Sequence, residues 1–156
     1  MIIRISGLIV LGLAAAHLSQ AQIHFENPDI RATGAKARRL NKALFLFFYT
    51  DRCVPCRKVQ KTVFTDRRIR AAIDSGYVSM KVNTEKGPGR AIAKRYGVGG
   101  LPTFLFADGD GKEIGRIVGN RSTDDYLVAI RTKGRTDPLF DRLSKKRPAH
   151  DATGRR

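Results

Sequence analysis

The sequence predicts an α/β domain in which helices flank one sheet, and three observations carry that expectation. Leu44-Phe45-Leu46-Phe47-Phe48-Tyr49 is apolar without alternation, the pattern of a strand covered on both faces. A helix-spaced stretch follows it, and then Tyr77 to Asn83 alternates as a second strand, completing a strand–helix–strand unit. Asp108-Gly109 and Asp110-Gly111 place a hairpin turn between two further strands. At 156 residues with 42% hydrophobic content, the chain has enough apolar mass for one core without help from several disulfides.

In chain order, Arg4 precedes an apolar run from Ile5 to Ala16, and Ser19-Gln20-Ala21 offers small residues at the first and third positions of a cleavage site. Residues 1–21 are therefore expected to be an export signal, or a membrane anchor if uncleaved. The run falls short of the roughly 20 apolar residues that a spanning helix needs. No second long apolar segment follows, so the exported remainder is expected to be soluble, in the periplasm or secreted.

Residues 22–28 read as a linker or short extended piece with Ile23 and Phe25 on one side. Asp29 caps a helix through about Asn41 that turns Ile30, Ala37 and Leu40 inward, with Gly34 weakening it. The apolar strand runs from Ala43 to Thr50. After the cysteines, Val59, Val63 and Phe64 recur at helical spacing, Thr65-Asp66 interrupts, and Ile69, Ala72 and Ile73 continue to a stop at Gly76. The strand from Tyr77 to Asn83 leads to the turn cluster Thr84 to Gly89, then to a short helix, Arg90 to Tyr96, ended by Gly97.

Pro102 opens the apolar strand that continues through Phe106. X-Pro bonds are cis in only about 5–6% of folded cases, so the residues alone favour trans there. Asp108 and Asp110 belong to the hairpin turn and lack the remainder of a calcium loop. Glu113 to Val118 is the return strand, and Ser122 caps a last helix to about Arg131 with Tyr126, Leu127 and Ile130 inward. Residues 133–156 carry eight Lys or Arg and two Pro with few apolar side chains, which suggests a mobile basic tail. The expected division is 1–21 signal or anchor, 22–132 folded domain and 133–156 tail.

The chemistry gathers at Asp51-Arg52-Cys53-Val54-Pro55-Cys56-Arg57-Lys58, which holds both cysteines between a strand and a helix. With Cys53 at the cap, free N–H groups and the positive end of the helix dipole favour a thiolate over a thiol. Free cysteine titrates near 8.5, and such surroundings lower that to roughly 3.5–7.5. Arg52, Arg57 and Lys58 push the same way. Pro55 fits the first helical turn and stiffens the loop between the sulfurs.

A strand, Cys-x-x-Cys and helix inside a βαβ pattern is the sequence form of a dithiol redox site. Two other readings stay open. One is half of a zinc site, for which only His17, His24 and His150 remain, none of them spaced as a ligand pair. The other is a structural disulfide, whose short loop would constrain the unfolded chain little.

Thirty Lys and Arg against fourteen Asp and Glu give a formal charge of +16, which suits acidic partners. The basic residues are scattered and no nucleic-acid motif is present, so nucleic acid is not an expected partner. For the basic tail, contact with an anionic membrane surface or a partner is the alternative to a tail with no function of its own. No cofactor and no metal are expected.

From Phe48 to Gly119 the chain resembles the thioredoxin family. The residues that carry the resemblance are Phe48 through Lys58 with Thr62-Val63-Phe64-Thr65-Asp66, and Ala93-Lys94-Arg95-Tyr96-Gly97-Val98-Gly99-Gly100-Leu101-Pro102-Thr103. Within that family it looks most like exported proteins akin to the C-terminal domain of the transmembrane disulfide reductase DsbD.

The resemblance implies a thioredoxin fold with a central mixed sheet, and an exported thiol–disulfide oxidoreductase that reduces, or oxidises, protein disulfides. Its partners would be protein thiols or disulfides and a redox protein that supplies or accepts electrons. Cys53 would be the exposed nucleophile and Cys56 the shielded resolving thiol. Pro102 would be cis against the sulfurs, and Leu101 would offer main-chain hydrogen bonds to a substrate strand. Val54, Pro55, Arg52 and Arg57 would tune the thiolate.

Three departures stand out. Arg52 replaces the aromatic residue common before the first cysteine, in a chain without Trp. Phe47 stands where many relatives carry a buried acid, and Leu101 where a β-branched residue is common. The lost acid leaves room for an alternative, a non-catalytic module that binds or captures thiols.

Overall fold

The structure, a computed structural model, describes residues 22–134. Residues 1–21 and 135–156 lie outside the described residues, and with them the expected signal and nearly all of the expected tail. Among the described residues the order is β1 (Phe25–Glu26), α1 (Ile30–Arg39), β2 (Ala43–Tyr49), α2 (Val54–Thr62), α3 (Arg67–Gly76), β3 (Tyr77–Asn83), α4 (Gly89–Arg95), β4 (Thr103–Ala107), β5 (Glu113–Val118) and α5 (Thr123–Thr132). The strands form one mixed sheet in the order β1-β3-β2-β4-β5. β1 and β2 run parallel to β3, and β4 runs antiparallel to both β2 and β5.

β2 explains its own lack of alternation. Phe45 and Phe47 pack with Val59, Phe64, Ile69, Ile73, Phe104, Phe106, Tyr126 and Ile130, beneath α2, α3 and α5. Leu44, Leu46 and Phe48 point the other way, to Ala37, Met80, Val82, Ile92, Tyr96 and Leu105, beneath α1 and α4. Both faces are dry, and each fully buried aliphatic or aromatic side chain adds about 1.5–3 kcal/mol relative to exposure. The end of β2 is thereby a rigid platform for the loop that follows.

Helix ends follow side-chain chemistry. Asp29 caps α1 by accepting from the N–H groups of Arg31 and Ala32 at 2.9 and 3.0 Å. Asp66 caps α3 through the Arg68 N–H at 2.8 Å, and so the interruption expected at Thr65-Asp66 separates two helices. Ser122 and Asp125 form a reciprocal capping box at the start of α5. The Tyr126 hydroxyl donates to the Gly119 carbonyl at 2.8 Å, fastening α5 to the end of β5.

Two expectations are corrected. Leu40 is not inward; it is the C-cap of α1, where the chain leaves helical geometry, and it is 47% exposed. Gly34 does not merely weaken α1. It is buried where the helix meets the β4–β5 turn, and a Cβ there would lie 2.5 Å from the Gly109 carbonyl oxygen. The short extended piece expected near Phe25 is a true edge strand, paired with Ser79 and Met80 of β3.

Candidate redox-active site

β2 ends at Tyr49, and Thr50-Asp51-Arg52 turns the chain so that Cys53 becomes the N-cap of α2. The turn closes through the Cys53 N–H, which donates to the Thr50 carbonyl at 3.3 Å. Cys53 adopts extended backbone angles (φ −69°, ψ 101°), and its Sγ accepts from the Cys56 N–H at 3.1 Å. That contact is a capping interaction with sulfur as the acceptor, so negative charge on Cys53 would be met by the free amides of the first turn. Pro55 lies in that turn, where an N–H is dispensable.

The two cysteines are joined as a disulfide, with Cα atoms 5.2 Å apart. Their exposures differ: Cys53 is partly exposed, whereas Cys56 is fully buried in the α2-side core. The asymmetry follows from geometry, since a cap residue faces the helix end and a residue three later faces the sheet. With both sulfurs bonded to one another, neither is a thiolate ligand. Among the described residues no group of three or more His, Cys, Asp or Glu gathers as a metal site.

Of the surrounding charges, Arg52 and Asp51 are held in ion pairs. Arg52 is 85% exposed and its Nη2 lies 2.8 Å from Glu85 Oε1, which offsets much of its field at the sulfur. Arg57 Nη1 donates to the Asp51 carbonyl at 2.8 Å, bracing the loop. The Asp51 carboxylate pairs with Lys86 at 2.6 Å and accepts from Asn83 Nδ2 at 3.2 Å, and hydrogen bonding to Lys86 is the main reason that its pKa is lowered. Val54 presents an apolar side chain, 64% exposed, beside Cys53.

The Leu101–Pro102 bond is cis, as the resemblance implied. Leu101 and Cys53 both pack against the α2-side core, which places the loop ahead of β4 and the cap of α2 on the same cluster. The Leu101 main chain takes no main-chain partner among the described residues, whereas the Pro102 carbonyl accepts from the Gly119 N–H at 2.8 Å.

Phe47, in the position of the missing acid, is fully buried among rings: 4.9 Å from Phe64, 5.6 Å from Phe104 and stacked on Tyr49 at 5.5 Å. The parallel pairing of β2 with β3 sets Lys81 opposite it. Lys81 and Gln60, which connects it to α2, were not singled out from the sequence. The available signal was one lysine in the otherwise uncharged segment from Tyr77 to Asn83, but only the register shows what it faces.

This fold and this dithiol site define a class, the thioredoxin-like proteins. A family model described as a thioredoxin-like domain matches residues 31–133, and the chain belongs to that family. It is similar to the thiol:disulfide interchange protein DsbD of Ralstonia nicotianae, at 33% identity over 104 residues, 65% of this chain. The chain spans only 16% of that relative's length. Among solved structures it resembles a thioredoxin from Thermus thermophilus, with 25% identity, TM-score 0.61, and 71% of this chain and 90% of that one covered. The oxidised C-terminal domain of Neisseria meningitidis DsbD shares the fold at TM-score 0.55 and 20% identity, with 65% of this chain and 90% of that one covered.

Proposed function

We propose that the chain is a thiol–disulfide oxidoreductase whose dithiol form reduces disulfides in other proteins. The observation that carries this reading is the unequal burial of the bonded pair, with Cys53 reachable at a helix cap and Cys56 enclosed behind it. In the reduced protein the Cys53 thiolate attacks one sulfur of a substrate disulfide, and the other sulfur leaves as a thiolate that takes up a proton. Cys56, losing its proton, then attacks Cys53 in the mixed disulfide; the second substrate thiolate leaves and the Cys53–Cys56 bond forms. Two electrons pass to the substrate, and a thiol-bearing redox partner must return two to the protein. The unpaired Leu101 main chain, next to cis Pro102, supports docking of an extended substrate strand.

Export belongs to the same proposal and rests on the residue pattern of 1–21, as does membrane attachment if that segment is retained. Among the described residues no helix is long and apolar enough to cross a membrane. The basic segment 133–156 would add contact with an anionic surface.

Insulin reduction driven by dithiothreitol tests the activity. The parent is expected to accelerate it, and Cys53→Ser to abolish the acceleration. Cys56→Ser is expected to stall as a mixed disulfide through Cys53, visible as a mass adduct that dithiothreitol removes. A parent rate no higher than background would remove the enzymatic reading and leave the thiol-capturing module, for which Phe47 in place of an acid is the supporting observation.

A further inference from the structure

The sheet register gathers three loops at one end of the sheet. Phe48 of β2 pairs with Thr103 of β4, and Thr103 with Val118 of β5. The turn to Cys53, the entry through cis Pro102 and the exit at Gly119 all lie beyond that rung. The last two touch: the Gly119 N–H donates to the Pro102 carbonyl at 2.8 Å, and a Cβ on Gly100 would lie 2.9 Å from Val118 Cγ1. Two residues past Gly119, ahead of α5, stands Arg121.

The Nε of Arg121 is buried and has no hydrogen-bond partner among the described residues. The carboxylates next along the chain are occupied. Asp124 Oδ1 accepts from Arg68 Nη1 at 2.9 Å, and Asp125 Oδ2 accepts from the Ser122 N–H at 3.2 Å. Among the described residues no carboxylate forms an ion pair with Arg121. Tyr126 holds the loop in place, its hydroxyl donating to the Gly119 carbonyl at 2.8 Å. Burial pushes that phenol up to about 12, and the Arg121 amide and charge pull against the rise, which sets the arginine at the polar end of the ring. An N–H stripped of water and left unbonded is destabilising, and a bound oxyanion relieves it. A guanidinium takes a carboxylate side-on through two parallel N–H bonds.

We infer that Arg121 is a specificity residue: it pairs with an Asp or Glu that lies close in sequence to the substrate disulfide, on the strand that docks along Leu101 and cis Pro102. The inference rests on the oxidoreductase reading and names its substrate class, cystines set in acidic stretches. It asks nothing of the thiolate, because the pairing is with the bound strand. Arg57, Lys58 and Lys61 are exposed on α2, a helix without an acidic residue, and give this end of the molecule the same sign.

The test uses the full chain and short synthetic peptides that carry one Glu at successive positions before and after a central cysteine, with an all-Gln reference. Versions with Ser in place of that cysteine are titrated into the oxidised protein, read by Kd and by the Arg121 Nε–H resonance. Glu at one register should bind about fivefold tighter than the reference, near the upper end for a partly exposed ion pair, and should shift that resonance. Arg121→Gln should return the Kd to that of the reference, and Arg121→Glu should favour Lys at the same register. As symmetric disulfides, the cysteine peptides should be reduced at rates in the same order.

Equal Kd values across the set overturn the inference. So does a gain spread evenly over all positions, which net charge alone would give, or one that survives in Arg121→Gln. If Arg121→Gln does not fold, the resonance decides, and an Arg121 Nε–H unmoved by every Glu peptide is the overturning result. Binding needs no turnover, so peptides that bind in register and are never reduced count against the oxidoreductase reading alone.

Discussion

Phe47 shows how one side chain can settle what chemistry a site is allowed. The ring fills the space under α2 and is gripped edge-on by Phe64 and Phe104. Phe47→Ala should lower stability by about 3–5 kcal/mol, read as a shifted denaturation midpoint with little change in slope. Gly34 makes the complementary point. In an exposed helix, Gly→Ala gains about 1 kcal/mol; here the added methyl would strike the Gly109 carbonyl, and Gly34→Ala should instead cost about 1–3 kcal/mol. The cysteines were legible in the sequence because their spacing is local and the chemistry is written in two residues. Lys81 and Gln60 were not, because they meet only through strand register and the seating of α2. The inward placement expected of Leu40 failed for a related reason, since periodicity does not say which residue is the last one inside the helix.

At the scale of elements, the break between α2 and α3 depends on Asp66, which accepts from the Arg68 backbone and pairs with its guanidinium at 2.9 Å. The Arg68 side chain, first among several causes, lowers the Asp66 pKa from 3.8 to about 2. A carboxylate with a depressed folded pKa stabilises fully above its unfolded value, and that contribution is lost as pH falls from near 3.8 through about 2. Thermal melts across this window should show the parent losing its advantage over Asp66→Asn as acid is added; parallel curves would contradict the assignment. Ser122→Ala removes one half of the capping box and should cost about 1 kcal/mol, seen as a lower Tm. Most element boundaries could be read in advance because caps and turns are local signals, as with Asp29, Asp66, Ser122 and the Asp-Gly hairpin. Strand order and the parallel seating of β1 could not be, since no local residue encodes a neighbour more than fifty positions away.

For the whole molecule, the +16 formal charge should act on encounter more than on fold. Exchange with an acidic protein disulfide should slow as ionic strength rises, while exchange with a small uncharged disulfide should not, because screening near 0.1 M confines such fields to about 10 Å. A chain limited to residues 22–134 should unfold cooperatively and keep the dithiol chemistry, as the family match over 31–133 suggests. The direction of the strands adds a constraint on placement. β1, β2 and β3 all point their C-terminal ends the same way, and Cys53 follows the end of β2. Through Ser79, Phe25 lies level with Phe45, four residues before the end of β2, so the start of β1 is set back about 13 Å from the end of the sheet that Cys53 follows. The chain thus enters the sheet well behind the cysteine end, which leaves the sulfur-bearing rim open to an incoming client.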